Sequence, residues 1–255
     1  MEKEQQLSLQ ESIRRKREAD PKKVAWRQAL AFFPLVRDIG TEMGNKDQAF
    51  EKVLAHHFLN QSQIPFVGFW GEGGKDGIDK EDQKYLEELL RIRKVIARYY
   101  EHGASINIIL ADKHGVFNGF YKDPKSSPYL IKIRAMLEEN NIPSLSLNDL
   151  YQKHGLELPN ISDPVNPLTP AFNVYEKHKD VYKRHAGHHQ IDKDSHKVAY
   201  HYVRMRLNER QMLGQEFPNS FLLVNGTKMA SQGLLPTSMP IIYLNVGPVW
   251  FINSQ

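Results

Sequence analysis

Two short apolar runs, each followed by a loop rich in glycine and charge, constrain this chain more than any other feature. Ile64 to Trp70 reads IPFVGFW, and Ala104 to Ala111 reads ASINIILA. Each is apolar on consecutive residues, the pattern of a strand buried on both faces. Between them Leu86, Leu89, Leu90, Ile92, Val95 and Ile96 recur at helical spacing. Asp79 precedes that stretch as an N-cap, with Glu81 and Asp82 favouring the positive end of the helix dipole. A helix over Pro128 to Asn140, an extended segment at Ile142 to Leu147 and a further helix from Asn148 continue the alternation. Strand, helix, strand, helix, strand in that order predicts parallel strands joined by crossover helices.

The flanking regions are read in the same way. Residues 1 to 24 are polar and mixed in charge, which predicts a solvated N-terminal arm, a candidate for homo-oligomer contact. Residues 25 to 255 are expected to form one α/β domain, beginning with a helix over Val24 to Val36, bent at Pro34, and another over Lys46 to Asn60. A proline-rich connection, Pro159 to Pro170, leads to a helical region from Val174 and a long helix over Ser195 to Gly214. Short runs at Ser220 to Val224, Ile241 to Val246 and Val249 to Ile252 resemble hairpin strands, expected antiparallel on the sheet edge. The fold class predicted is therefore α/β: a Rossmann-like, mainly parallel sheet flanked by helices, with C-terminal antiparallel edge strands.

Composition narrows the chemistry. There is no cysteine, so thiol nucleophiles, disulfides and thiolate metal sites are excluded. No apolar run of the length a membrane helix needs and no secretory leader are evident, so a cytoplasmic protein without a membrane partner is expected. The net charge of +4 is too small to argue for nucleic acid and suits a small anionic ligand as well.

Open α/β sheets bind ligands at the carboxyl ends of their strands. Two loops fall there. In the first, Trp70 to Lys75 (WGEGGK), glycines allow close backbone approach, Lys75 is a candidate for a phosphate or carboxylate, and Trp70 and Glu72 are candidate substrate contacts. Its spacing is neither that of a Walker A loop nor that of a dinucleotide fingerprint. An ordinary βα turn with a solvated lysine is the plain alternative. In the second, Asp112, His114 and Asn118 bring a carboxylate, an imidazole and an amide to a strand end, a set suited to acid/base work and substrate hydrogen bonding. Here the plain alternative is that Asp112 caps a turn and Asn118–Gly119 makes another.

On the long helix, Tyr202, Arg206 and Glu209 share one stripe, so Arg206 reaches an anion or simply pairs with Glu209. Lys228 is a further anion-binding candidate. The histidines at 185, 188 and 189 fit a solvated loop better than a metal site, and no metal is expected.

These features in this order resemble the isocyanide (isonitrile) synthase family of the pyoverdine/dityrosine biosynthesis type, over roughly residues 60 to 250. The resemblance is carried by FVGFWGEGGK, by Tyr99-Tyr100-Glu101-His102-Gly103-Ala104, and by INIILADKHGVFNG. Tyr202, Arg206 and Glu209, then Phe217-Pro218, and the terminal Gly247-Pro248-Val249-Trp250 complete it. The chain departs from the family at Leu223-Val224-Asn225-Gly226, where a Ser-Ile-His-Pro-like segment is usual, and in a first loop rich in glycine rather than proline.

The resemblance implies condensation of an amino-acid amine with a sugar-phosphate ketone, without metal or nucleotide cofactor. It assigns cation roles to Lys75 and Arg206 and proton transfer to His114 oriented by Asp112, with Glu209 fixing Arg206. A second reading is a class I synthetase-like amino-acid-binding enzyme, suggested by Ile108 to His114. It lacks His-Ile-Gly-His and Lys-Met-Ser-Lys-Ser strings, of which Lys228 to Ser231 is a partial echo. A third is a non-catalytic α/β scaffold for a protein partner. Both enzymatic readings require Lys75, His114 and Arg206 to converge.

Overall fold

The computed structural model describes residues 42–43, 47–71, 75–120, 122–124, 127–177, 179–180, 194–225, 234 and 238–244. The N-terminal arm, the helix expected at Val24 to Val36, Glu72, Lys228, the histidines at 185 to 189 and the strand expected at Val249 to Ile252 lie outside them.

The described elements run β1 (Glu42–Met43), α1 (Asp47–Asn60), β2 (Ile64–Trp70), α2 (Lys80–Tyr99), β3 (Ala104–Leu110), α3 (Asp112–Phe117) and α4 (Pro128–Glu139). Then follow β4 (Ser144–Ser146), α5 (Leu147–Lys153), α6 (Pro170–Lys177), α7 (Ser195–Glu216), β5 (Phe221–Asn225) and β6 (Ile241–Leu244). The six strands form one sheet in the order β1-β6-β5-β2-β3-β4. The protein is thus α/β, with a mainly parallel sheet flanked by helices, as its strand–helix alternation predicts.

One feature of that expectation is corrected. β5 runs parallel to β2, and β6 parallel to β5; the antiparallel pair is instead β1 with β6 at the edge. The physical reason lies in burial. Ile241 to Leu244 and four of the five residues of β5 are buried, so both sheet faces are covered there, as in parallel sheets and unlike a half-wet hairpin. Fifteen residues separate the two strands, enough for a crossover.

Taking the five parallel strands alone, the order along the sheet is β4-β3-β2-β5-β6. The chain moves outward from β2 to β4, then returns through α7 to start again at β5 beside β2. The order therefore reverses between β2 and β5, the position at which open α/β sheets bind ligands.

Side-chain alternation divides the core into two layers. Phe66, Trp70, Ile108, Phe221 and Leu223 pack with α1, α2 and α4 on one face, here called face one. Val67, Ile109, Leu222 and Tyr243 pack with α5, α6 and α7 on face two. At Gly68 a side chain is excluded by packing: an added Cβ would lie 2.6 Å from the Tyr85 hydroxyl and 3.1 Å from Ile108 Cδ1. The capping box forms at α2, where Asp79 Oδ1 accepts from the backbone N–H of Glu81 and Asp82 and Asp82 Oδ2 accepts from that of Asp79. Asp112 to Phe117, expected as a strand-breaking loop, is a short helix whose Gly115 is buried, and Gly119 makes the following turn at φ +79°.

At the amino end of the parallel strands, His57 ties α1 to the turn before β5. Its Nε2 donates to the Asn219 carbonyl at 2.7 Å, leaving Nδ1 to accept from Ser62 Oγ at 2.9 Å. Burial holds the imidazole neutral, below its ordinary value of 6.5, and His56 adds to the effect. Burial likewise depresses His201, which donates to the Asp163 carbonyl. A depressed folded value means that the associated stability is complete above 6.5 and is lost as pH falls through the folded value. The expected result is a melting temperature that declines on acidification from pH 6.5, with a slope reduced by about half in His57→Gln. Parallel curves for the two proteins would show that His57 does not contribute.

Candidate functional site at the carboxyl edge of the sheet

Three elements bring side chains together on face two at this edge. β2 contributes Phe69, one residue before its end, α3 follows β3 after Ala111 and presents His114, and α7 presents Arg206 and Glu209 one turn apart. α5 adds Tyr151, behind Glu209.

Glu209 is the hub. It is buried, and its Oε1 accepts from the Tyr151 hydroxyl at 2.8 Å and from His114 Nε2 at 2.8 Å. Its Oε2 accepts from Arg206 Nη1 at 2.6 Å. Burial works to raise the carboxyl, but the electrostatic pull of His114 and Arg206, with hydrogen bonds from His114 and Tyr151, outweighs it and holds Glu209 below its ordinary value. It is therefore an ionised acceptor. Burial and the neighbouring Glu209 charge drive the Tyr151 phenol far up, so its hydroxyl stays a donor. Arg206 Nη1 also lies 3.4 Å from His114 Nε2. Since that nitrogen carries the proton given to Glu209, the approach is a contact rather than a hydrogen bond. Among the described residues nothing binds His114 Nδ1, which is left as the basic position of the ring.

Two further contacts set the geometry. The Phe69 ring stacks on the His114 imidazole at 6.2 Å with an interplanar angle of 9°, and the Arg206 guanidinium lies 5.2 Å from the Phe69 ring centre. Arg206 is held on two sides, yet its Nε is buried without a hydrogen-bond partner. A buried unsatisfied donor of this kind is costly and marks a place where a ligand acceptor would be stabilised.

The solved structures give this fold a counterpart. The PvcA protein from Pseudomonas aeruginosa matches over 91% of this chain and 86% of its own, with a TM-score of 0.58 and 16% sequence identity. At that identity the likeness establishes the fold. Tyrosyl-tRNA synthetase from Aeropyrum pernix matches more weakly, over 85% of this chain and 61% of its own, with a TM-score of 0.45 and 13% identity. No protein-family model and no curated protein matches the chain.

The sequence candidates divide between the two faces. His114, Arg206 and Glu209 meet on face two. Asp112 does not orient His114: its Oδ2 accepts from Ser146 Oγ at 2.5 Å, and its Oδ1 from the backbone N–H of Asn148 and Lys113, both at 2.9 Å. It staples α3 to α5, and Glu209 has the orienting position expected of it. Asn118 ends α3 through its backbone N–H, donated to the His114 carbonyl.

Lys75 is on face one. Its Nζ lies 2.6 Å from Asp79 Oδ2 and 3.4 Å from the fully buried Asp82, over the Tyr129 ring at 5.6 Å. Trp70 Nε1 donates to the Tyr129 hydroxyl at 2.9 Å, which donates to Asp82 Oδ1 at 2.6 Å. Trp70 and Lys75 are thus members of a buried network pinning the β2 loop to α2. A lysine shared by two carboxylates is not a free cation, so the expected convergence of Lys75 with His114 and Arg206 is not formed.

Sequence reasoning did not single out Tyr151 or Asn225. Tyr151 gave no signal beyond an aromatic on a short helix. Asn225 had one: it is the polar residue closing the apolar run FLLV at a strand's carboxyl end.

Proposed function

We propose that this chain is a small-molecule biosynthetic enzyme of the isocyanide-synthase type, joining an amino-acid amine to the ketone of a sugar phosphate. The observation that carries this reading is the cluster of His114 and Arg206 around the buried Glu209 and Tyr151 at the carboxyl edge of the sheet. The motifs that resemble isocyanide synthases, and the fold shared with PvcA, support it further.

Amine attack on a ketone forms a carbon–nitrogen bond while the carbonyl electrons move to oxygen. The nitrogen must then lose a proton and the oxygen must gain protons before water departs to leave an imine. His114 Nδ1 takes and returns those protons, with Glu209 fixing the ring and stabilising its charged form. Arg206 Nε–H and the remaining guanidinium face bind an anionic group of a substrate, its charge adjusted but not cancelled by Glu209. No step in this sequence calls on a metal or nucleotide.

The test combines the purified protein with ribulose 5-phosphate and each proteinogenic amino acid in turn, following loss of free amine and trapping the imine by borohydride reduction. The expected result is amine loss and a reduced adduct that both require the two reactants together. Thermal stabilisation by an amino acid alone, with no product from any pair, would favour an amino-acid-binding enzyme of another kind.

A further inference from the structure

Face one holds a second unsatisfied group at the same edge of the sheet. Asn225 is the last residue of β5, at the point where strand order reverses. It is only 7% exposed, and among the described residues neither its side-chain oxygen nor its side-chain nitrogen has a hydrogen-bond partner of acceptable geometry. Alternation from Phe221 and Leu223 puts it on face one, two residues beyond the Gly68–Leu223 pairing and so level with Trp70. Its neighbour there is the Tyr85 phenol. Burial drives that phenol far up while the Asn225 amide lowers it slightly, but no hydrogen bond of acceptable geometry joins the two. The Tyr85 hydroxyl instead donates to the Phe69 carbonyl at 3.3 Å.

An amide presents one acceptor and two donors, and burying both ends unpaired destabilises the empty protein. The charge around it decides what would satisfy it. On face one Lys75 is outnumbered by Asp79 and Asp82. At the rim Lys132 Nζ donates to the Asp76 backbone carbonyl at 2.8 Å. Among the described residues face one is therefore the poorer place for an anion, whereas face two offers Arg206. Hydroxyl groups, each both donor and acceptor, match a neutral amide without a charge cost.

We infer that Asn225 is a ligand-reading residue whose carboxamide hydrogen-bonds the hydroxyl groups of a sugar chain, with the anionic end of that ligand directed away from face one. This deepens the proposed function and rests on it for the identity of the sugar. It makes two linked expectations: removing the amide should stabilise the empty protein, and it should weaken sugar binding.

The experiment compares the wild type with Asn225→Leu, which keeps the side-chain volume, and with Asn225→Ala. Calorimetric titration uses ribulose 5-phosphate and, separately, inorganic phosphate; thermal melts are run without ligand. The expected result for Asn225→Leu is a melting temperature higher by about 2–4 °C. Its affinity for ribulose 5-phosphate should fall about tenfold or more, with phosphate binding unchanged. Asn225→Ala should show the same loss of affinity.

Several results would overturn the inference: equal sugar binding by all three proteins, wild-type binding no tighter to ribulose 5-phosphate than to phosphate, or a lower melting temperature in Asn225→Leu. Asn225-dependent sugar binding without consumption of any amine would leave the inference standing and remove the synthase reading instead.

Discussion

Glu209→Ala is expected to lower the free energy of unfolding by about 3–5 kcal/mol, the range for removing one partner of a buried ion pair. Glu209 accepts from three side chains, and alanine leaves His114, Tyr151 and Arg206 without their shared acceptor. Arg206 has no other described anion to turn to, and its Nε is already unpaired. Glu209→Gln should cost less, because an amide oxygen still accepts although the charge is gone. A double replacement, Arg206→Met with Glu209→Leu, should recover most of the loss, since a packed apolar pair escapes the desolvation of two charges. Urea unfolding of the four proteins decides the matter. Equal stability of Glu209→Ala and wild type would mean that the cluster carries no net stabilisation.

The same carboxyl gives the acid limb of stability its sign. Its folded value lies below the ordinary 4.5, so its contribution is complete above 4.5 and is lost as pH falls through the folded value. The histidine contribution disappears at higher pH, starting from 6.5. Two separate declines are therefore expected on acidification, and Glu209→Gln should shrink the lower one, which Asp79 and Glu216 share.

How much of this was legible in sequence depends on the length scale of each constraint. β2, β3, the α2 cap and α7 are written in local periodicity and turn chemistry, and they form where those signals stand. The direction of β5 and β6 is not a local property. A four- or five-residue apolar run is compatible with a hairpin or a crossover, and only the covering of both faces selects the parallel arrangement. The first loop shows the same limit differently. Lys75 stands at the carboxyl end of β2 as expected, but whether it is free depends on Asp82 seven residues later and on Tyr129 from α4, brought in by folding. Arg206 and Glu209 could be placed on one helical stripe from spacing alone. That Glu209, rather than adjacent Asp112, would hold His114 required α3 and α7 to be packed together across 95 residues of chain. Asn225 was visible as a polar residue ending a strand, yet its lack of partners is a three-dimensional fact.

The division between faces also changes what the two earliest candidates should do when altered. His114→Gln keeps a side-chain N–H within reach of Glu209, so the cluster and the fold should survive with little change in melting temperature. It removes the ring nitrogen assigned to proton transfer, and a positioned acid/base contributes about 10²–10⁴-fold to rate. Turnover of the amine and ribulose 5-phosphate should fall by that range, while the affinity for each reactant changes far less. Lys75→Met should behave in the opposite sense. It leaves Asp82 buried without its cation and lowers stability, while turnover per folded molecule stays near that of the wild type. Measuring rate and melting temperature on both variants separates proton transfer from scaffolding. Loss of turnover in Lys75→Met at full stability, with His114→Gln active, would move the chemistry to face one, to the Lys75, Asp82 and Tyr129 network.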